Sequence, residues 1–320
     1  MSGAPAPAPS AGGVPDVLGT CHGFEVSSEL PLDFLRQPTD VGFEEKLHVQ
    51  RGPVLREPSD RPLLSWEATT ENPFSARLHE LEVGFGLWID GLGAYVVDPG
   101  SGTVRVCGDV APRVAEPRLW GIPSALCFIH QGDVSLHAAA VEVDGRAILL
   151  TGPGRFGKTT LAAAFDRAGH RILSEDLCRC RPGDVPVVFP APAMLRMRPA
   201  TLEALGAPRH SRVISRSDER VHFALDGAAR GGGAPVPIAA IVTLHLSEGS
   251  VELEPRSRPA AIHDLWSMSF RLPTDDGRER CFQGISHLAD RLPTWRLSRR
   301  LSFESLPGIV DRIITTCVDA

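Results

Sequence analysis

The chain has 320 residues, enough to bury a full hydrophobic core and to form one large domain or two. Hydrophobic residues make up 42% of it and charged residues 22%, as in ordinary globular proteins, and its net charge of −6 argues against a surface built to bind nucleic acid or acidic lipid. No stretch approaches the roughly 20 apolar residues that a membrane span requires.

Residues 1–16 are rich in Ala and Pro and lack the charged and apolar regions of a secretion signal. They are therefore predicted to be a disordered tail, and the protein is expected to be cytoplasmic. The 7 cysteines are scattered without framework spacing, which predicts reduced thiols. Cys178 and Cys180 form a C-x-C pair, but no second Cys or His pair accompanies them at the spacing of a zinc site.

Residues 17–130 are predicted to form a mostly β N-terminal region, because short apolar runs alternate with turn residues. Strands are predicted over 84–91, 94–100 and 103–107. Apolar residues spaced three and four apart predict a helix over 119–130.

The centre of the chain predicts a strand, a glycine-rich loop and a helix in succession. Asp144-Gly145 is typical of a tight hairpin turn, and Gly169 is typical of a residue that ends a helix. The predicted elements are strands over 135–143 and 146–151, a helix over 158–168, and a strand over 170–174.

The remainder of the chain is predicted to mix loops, strands and helices. Residues 181–235 contain many prolines and are predicted to be rich in loops. A strand over 238–246 is predicted to pair with one over 251–253. Helices are predicted near 258–270, 278–291 and 303–317.

The loop after the strand 146–151 fits the pattern G-x-x-x-x-G-K-[ST] of a phosphate-binding loop. Its lysine is one of only two in the chain, Lys46 and Lys158, among 33 basic residues. A compact ammonium suits a loop that wraps closely around phosphates, whereas a planar guanidinium does not. The residues predicted to bind a nucleotide are Gly152, Gly154, Arg155, Phe156, Gly157, Lys158, Thr159 and Thr160.

Thr159 is expected to ligate Mg²⁺ through its hydroxyl, as the Ser or Thr of such loops does. The adjacent carboxylates Glu175 and Asp176 follow the predicted strand 170–174 and are expected at the edge of the neighbouring strand. They would hold a metal or accept a proton from a hydroxyl; the alternative is a solvated acidic turn. His137 lies on the preceding strand, where spacing alone favours a structural role over a catalytic one.

These segments, in this order, resemble the HPr serine kinase family, and more closely the HPr-kinase-like enzymes of lasso-peptide and other ribosomal-peptide biosynthesis. The resemblance rests on Leu136-His137-Ala138-Ala139-Ala140-Val141, the loop, and Leu173-Ser174-Glu175-Asp176. Weaker similarity extends to an opening segment, 23–32, and to 191–199, 236–241 and 292–297. The resemblance implies that Arg196, in the second of these segments, lies near a phosphate.

The resemblance implies an α/β fold of the phosphoenolpyruvate-carboxykinase type, with residues 131–320 as the nucleotide-binding catalytic domain. It implies transfer of a phosphoryl group from ATP, with Mg²⁺, to a hydroxyl. Glu175 falls where the family has its catalytic aspartate and Asp176 where it has the metal-side aspartate. His137 matches the family histidine, and Lys158 the lysine that neutralises phosphates.

Two residues depart from the family pattern. Glu175 is one methylene longer than aspartate, which changes the reach of the base. The loop carries Arg155-Phe156 where relatives have small residues; Arg155 is equally well interpreted as a phosphate or substrate contact and as a solvent-exposed side chain.

The leading hypothesis is therefore an ATP- and Mg²⁺-dependent kinase whose acceptor is a hydroxyl of a peptide, a protein or a small molecule. A catalytically impaired nucleotide-binding or sensor protein, and an ATPase that assists a partner enzyme, remain alternatives. Assembly into a homo-oligomer is compatible with the resemblance. The arginine-rich segments 209–220 and 296–300 are expected to be solvated faces, either of which could bind an acidic acceptor.

Overall fold

The computed structural model describes residues 17–38, 43–69 and 74–318, so the predicted tail over 1–16 lies outside the described residues. Within these ranges no helix is long and apolar enough to cross a membrane. The described chain combines large sheets with helices, and the predicted mixed α/β class is confirmed.

The first sheet occupies the N-terminal region. Within the described residues it contains eight strands: β1 (Gly19–Cys21), β2 (Phe24–Ser28), β3 (Lys46–Gly52), β4 (Leu64–Trp66), β5 (Ala76–Glu80), β6 (Phe85–Ile89), β7 (Gly93–Asp98) and β8 (Thr103–Cys107). Their order in the sheet is β1-β2-β3-β8-β7-β6-β5-β4, and the strands predicted from 84 to 107 are present as β6, β7 and β8.

The remaining described elements follow in chain order. They are α1 (Pro112–Leu119), α2 (Ile122–His130), β9 (Val134–Val143), β10 (Arg146–Thr151), α3 (Lys158–Arg167), β11 (Arg171–Ser174), β12 (Leu177–Arg181), β13 (Val187–Phe189), β14 (Met194–Met197), α4 (Pro199–Leu205), β15 (Ser211–Arg216), β16 (Val221–Leu225), α5 (Gly227–Arg230), β17 (Val236–Leu246), β18 (Glu252–Pro255), α6 (Arg258–Ser267), β19 (Ser269–Phe270), α7 (Asp275–Arg291), β20 (Thr294–Arg299) and α8 (Leu306–Cys317).

The second sheet is organised around the long strand β9. One side of β9 pairs with β10, and the other side pairs with β12 along its first half and with β11 along its second half. On the far side of β10 the sheet continues with β17, which is parallel to β10, and then β20, which is parallel to β17. The β9–β10 hairpin turns at Asp144 and Gly145 with φ of 48° and 75°, as the Asp-Gly pair predicts.

Helices cover both faces of this sheet. Alternate residues of a strand point to opposite faces, so β9 contributes to the core on each side. Ala139 and Val141 of β9 face the core that includes α3 and α8, whereas Ala138 and Ala140 face the core that includes α6 and α7. The predicted central helix is present, and Gly169 ends it with φ of 108°. The three predicted C-terminal helices correspond to α6, α7 and α8.

The helix predicted over 119–130 is present as α2, which begins at Ile122 because the chain leaves helical geometry at Gly121. One prediction about these elements is wrong: the segment 251–253 does not pair with β17, because β20 lies between β17 and β18. The loop-rich region 181–235 also contains the three-stranded sheet β14-β16-β15, which was not predicted.

The prolines of that last region lie at positions that do not interrupt an element. Pro186 precedes β13, Pro190 follows it, and Pro199 is the first residue of α4. Proline is tolerated at these positions, since the missing N–H would have no partner within the element.

Two buried arginines connect the two sheets. Arg36, which forms a β-bridge with Thr20, donates hydrogen bonds to the carbonyl oxygens of Ile172 (3.0 Å) and Leu173 (2.9 Å) at β11. Arg179 of β12 donates to the carbonyl of His22 at 2.7 Å. These contacts join the parts of the chain on either side of residue 130. The predicted division into two domains near that residue stays a prediction.

Arg179 is surrounded by partners. It pairs with Asp133 (Nε–Oδ2 2.5 Å) and with Glu45, and it lies 4.7 Å from the ring centroid of Phe24 and 4.5 Å from that of Phe189. Asp133 itself is 7% exposed. Removing the guanidinium would leave a buried carboxylate short of its main counter-charge.

We expect Arg179→Met to lower the free energy of unfolding by about 3–5 kcal/mol, the usual cost of breaking one side of a buried ion pair. Urea denaturation followed by circular dichroism measures it. The matched control is Arg258→Met, because Arg258 forms a solvent-exposed pair with Asp290 and its loss should leave stability nearly unchanged. Equal stability of the two variants would contradict the interpretation.

Candidate functional site

The loop between β10 and α3 adopts a turn that its glycines permit. Gly152 has φ of 143° and Gly157 has φ of 85°, values that favour glycine over other residues. Arg155 also has a positive φ, 66°, which is uncommon for a non-glycine residue and marks a tightly constrained turn. Residues 152–157 are called the 152–157 loop below.

Helix α3 begins at this loop without a side-chain cap. Gly157 occupies the N-cap position, and no side chain in the described structure accepts a hydrogen bond there. The first N–H groups of a helix carry partial positive charge and lack partners within the helix. The end of α3 can therefore bind an anion through backbone N–H groups.

Lys158 is folded back on the loop. Its side chain is buried, and Nζ donates hydrogen bonds to the carbonyl oxygens of Gly152 (2.7 Å) and Pro153 (3.1 Å). Burial lowers the pKa of Lys158, whereas the nearby Asp176 opposes that shift. A bound anion would compete with these carbonyls for the ammonium group.

The other predicted loop residues differ in their surroundings. Phe156 packs partly buried against the core beneath α3, so its side chain serves packing. The hydroxyl of Thr160 lies 3.1 Å from that of Thr201 in α4, whereas the half-buried Thr159 has no hydrogen-bond partner for its hydroxyl among the described residues. Gly154 has open space where a Cβ would lie. Arg155 is exposed and has interacting partners.

The carboxylates Glu175 and Asp176 lie in the short gap between β11 and β12, which both pair with β9. The expectation that they follow the strand next to the loop strand is wrong, because β9 lies between β10 and β11. They nevertheless lie at the same edge of the sheet as the loop. The backbone N–H of Ala138 donates to the carbonyl of Asp176 at 3.1 Å, and Ala138 is opposite Thr151, the last residue of β10.

Arg196 of β14 connects the two carboxylates. Its Nε donates to Oε1 of Glu175, its backbone N–H donates to Oε2 of Glu175 at 2.7 Å, and its Nη2 donates to Oδ2 of Asp176 at 2.8 Å. Both oxygens of Glu175 are therefore occupied. The side chain of Glu175 is 4% exposed, whereas that of Asp176 is 49% exposed, so solvent reaches mainly the aspartate.

The two carboxyl groups have pKa values shifted in opposite directions. Burial raises the pKa of Glu175, and the Arg196 guanidinium reduces this shift without reversing it. For Asp176, whose side chain is half exposed, desolvation by the surrounding protein also favours the neutral form, but Arg196 and His137 outweigh it and hold the pKa well below its ordinary value. Such a divergence within one pair separates a group suited to exchange protons from one that stays ionised.

His137 contacts Asp176 through one ring nitrogen. Nδ1 lies 3.1 Å from the backbone carbonyl oxygen of Asp176 and 3.2 Å from Oδ1 of its side chain. Because both of these atoms are acceptors, the proton must be on Nδ1, which leaves Nε2 free to accept or bind in the neutral ring. The backbone N–H of His137 donates to the carbonyl of Met268 at 2.7 Å.

The residues present suit Mg²⁺ only together with other oxygen ligands. Mg²⁺ prefers oxygen donors and commonly takes one or two protein ligands besides phosphate and water. Thr159 and Asp176 supply a hydroxyl and a carboxylate of that kind. Among the described residues no group of three or more His, Cys, Asp and Glu side chains could hold a metal without such additional ligands.

One arginine of the site was not predicted from the sequence. Arg299, in the segment 296–300 expected to be solvated, is 1% exposed, and its Nη2 donates to the carbonyl of Phe156 in the loop at 3.3 Å. That expectation is wrong at this position because Arg299 ends β20 beside the start of α3. Neighbouring Arg300 does lie at the surface, 64% exposed.

No protein-family model and no curated protein matches the chain. Among solved structures, the chain is similar to the HPr(Ser) kinase/phosphatase from Coxiella burnetii over 57% of this chain and 94% of that one, with a TM-score of 0.32 and 9% identity. A likeness this weak neither assigns the chain to that family nor indicates its activity.

Two neutralising substitutions, Glu175→Gln and Asp176→Asn, are expected to change the free energy of unfolding with opposite dependences on pH. A raised pKa means that the fold favours protonated Glu175. The stability of the wild type relative to Glu175→Gln is thus highest below the ordinary pKa of 4.5 and is lost as the pH rises through the raised value. Relative to Asp176→Asn, it is highest above the ordinary pKa of 3.8 and is lost as the pH falls through the lowered value.

Urea denaturation of the three proteins over a series of pH values measures both differences. Each variant serves as the other's control, since the two residues are adjacent. If both differences changed with pH in the same direction, the assigned pKa shifts would be wrong.

Proposed function

We propose that the protein is an ATP- and Mg²⁺-dependent kinase that transfers a phosphoryl group to a hydroxyl. The observation that carries the proposal is the meeting of three features at one sheet edge: the uncapped start of α3, the buried Lys158 on the loop before it, and the pair Glu175 and Asp176. Phosphoryl transfer needs mainly positioning and charge stabilisation, which such a constellation supplies.

The opposite pKa shifts support distinct roles for the two carboxylates. Glu175, whose pKa is raised, is the proton acceptor for the substrate hydroxyl, because a base works best when its pKa approaches the working pH. Asp176, which stays ionised, holds Mg²⁺ together with Thr159. Bound there, the ion would supply charge that screens the phosphates.

Arg196 has to release Glu175 before that base can act, since it occupies both carboxylate oxygens. A triphosphate at the 152–157 loop would offer the guanidinium an alternative anion, and arginine binds phosphate well through its planar array of donors. We infer that Arg196 turns from the carboxylates towards the phosphates when a nucleotide binds. His137 keeps Asp176 oriented through Nδ1.

The proposed acceptor is the hydroxyl of a serine in a peptide or protein, or of a small molecule. The resemblance of the central segments to the HPr serine kinase family supports a nucleotide fold of the phosphoenolpyruvate-carboxykinase type, ATP as donor, and a ribosomally made peptide as one acceptor class. A cytoplasmic location and homo-oligomeric assembly are part of the same proposal.

One observation favours a second function, nucleotide binding without catalysis. Glu175 is enclosed, and its carboxylate is fully engaged by Arg196. If that contact persists when nucleotide is bound, the protein is a nucleotide sensor, or an ATPase that assists a partner enzyme, and no acceptor is phosphorylated.

Lys158→Met tests whether the loop binds phosphates. We expect at least about tenfold weaker binding of ATP with Mg²⁺, because the variant loses a charge-assisted contact to phosphate. Isothermal titration calorimetry measures the dissociation constant. The chain provides its own control, Lys46→Met, since Lys46 is an exposed residue of β3 and should have no effect. Equal affinities of all three proteins would remove the basis for a nucleotide site.

Glu175→Gln and Glu175→Asp test the proposed base. With labelled ATP, Mg²⁺ and a mixture of serine-containing peptides, we expect the wild type to transfer label. Glu175→Gln should lose about a hundredfold or more of the rate while still binding nucleotide, since general-base catalysis is commonly worth that much. Label on the peptides is measured by chromatography and mass spectrometry.

The aspartate variant separates the two candidate functions. If only Glu175→Asp transfers label, the natural protein is a binding protein whose longer side chain prevents catalysis. If phosphate is released without any labelled product, and a partner stimulates the release, the ATPase alternative holds.

A further inference from the structure

Three arginines are among the largest fully buried side chains of the described residues: Arg36, Arg179 and Arg299. Burying a guanidinium is costly unless its charge is paired or its donors are satisfied. The first two meet this condition. Arg179 pairs with Asp133 and Glu45. Arg36 donates to four backbone carbonyls.

Arg299 has neither a paired charge nor a full set of hydrogen-bond acceptors in the described structure. Its Nη2 makes one long hydrogen bond, 3.3 Å, to the carbonyl of Phe156, and its Nε is buried with no hydrogen-bond partner. No carboxylate in the described part of the chain forms an ion pair with it. Burial lowers the pKa of Arg299 as well, and no neighbouring charge opposes that shift.

The position of Arg299 makes this lack of a counter-charge more costly. A Cβ placed on Gly157, the N-cap of α3, would lie 2.5 Å from Nη2 of Arg299. The guanidinium therefore lies against the positive end of a helix, which repels cations and attracts anions. Lys158, the next residue, adds another positive charge.

An anion at the 152–157 loop would resolve all of these conflicts together. It would provide the missing counter-charge and would accept hydrogen bonds from the free N–H groups of α3. We propose that Arg299 is the buried counter-charge for the phosphate groups of a ligand at this loop, so that phosphate binding removes an electrostatic penalty present in the free protein. The inference rests on the proposed nucleotide site and adds a residue to it.

Arg299 acts in this proposal as a positioning residue. It lies behind the loop, holds the carbonyl of Phe156 and raises the positive potential at the start of α3. The proposal has a signature that a purely structural arginine lacks. Neutralising the side chain should relieve the free protein while weakening the phosphate complex, so the two effects have opposite signs.

The test uses the full-length protein and two probes, ATP with Mg²⁺ and inorganic tripolyphosphate, with adenosine as the phosphate-free control. Arg299→Met keeps an unbranched side chain of similar reach without charge. We expect its melting temperature without ligand to be no lower than that of the wild type. Its affinity for both phosphate probes should fall about tenfold or more, the range for losing a charged hydrogen-bond partner.

Two further variants sharpen the result. Arg299→Lys keeps the charge and should lose less affinity than Arg299→Met. Arg300→Met is the matched control, because Arg300 is the next residue in sequence but pairs with Glu248 at the surface. It should change neither the melting temperature nor the affinity appreciably.

Several outcomes would overturn the inference. Unchanged tripolyphosphate affinity in Arg299→Met would do so, as would a lower melting temperature or loss of soluble protein, because the arginine would then be satisfied in the free protein. Equal losses in the Lys and Met variants would show that shape and not charge matters. If the wild type binds the probes but never phosphorylates an acceptor, the kinase proposal fails and this inference stands.

Discussion

The register of β9 against its neighbours determines where the 152–157 loop and the two carboxylates of the candidate site lie. Thr151 of β10 is opposite Ala138, and Leu177 of β12 is opposite His137. The loop that follows Thr151 and the carboxylates that precede Leu177 are therefore fixed to adjacent residues of one strand. A shift of one residue would turn each side chain of β9 to the other face and exchange the residues that pack in the two cores, so the packing specifies the register.

This geometry concentrates charge of both signs at one edge of the sheet. Lys158 and Arg299 lie at the loop, whereas Glu175 and Asp176 lie across β9 and share Arg196. Within the described structure each carboxylate has a cationic partner, but the charge of Arg299 has none. The edge therefore carries an excess of positive charge beside the uncapped end of α3, although the net charge of the whole chain is −6.

Much of the local structure at this edge was predictable from sequence. The strand, loop and helix at 146–167 are specified by apolar residues, glycines and a stop signal that lie close together in the chain. The contact of Arg196 with the two carboxylates was not, because the sheet containing β14 forms by pairing with residues 221–224, and single-sequence patterns do not encode such long-range pairing. The prolines around it indicated loop, although they lie outside the strands of that sheet.

Other differences between the predicted and the observed structure also come from contacts between residues distant in sequence. β20 was missed because its strand pattern is interrupted by arginines at 296 and 299, and without it β18 was assigned the wrong partner. Arg299 was expected at the surface because arginine rarely lies in a core. The arrangement of Glu175 and Asp176 between two strands that share β9 also has no signature in their spacing alone.

The position of Arg36 in the sequence affects when its hydrogen bonds can form during protein synthesis. Its hydrogen-bond acceptors belong to residues 172, 173, 191 and 230, well over a hundred positions later in the chain. While the ribosome is still translating the central region, the emerging N-terminal sheet holds a guanidinium whose final acceptors do not yet exist. The hydrogen bonds of Arg36 can be completed only after the nascent chain has grown past residue 230.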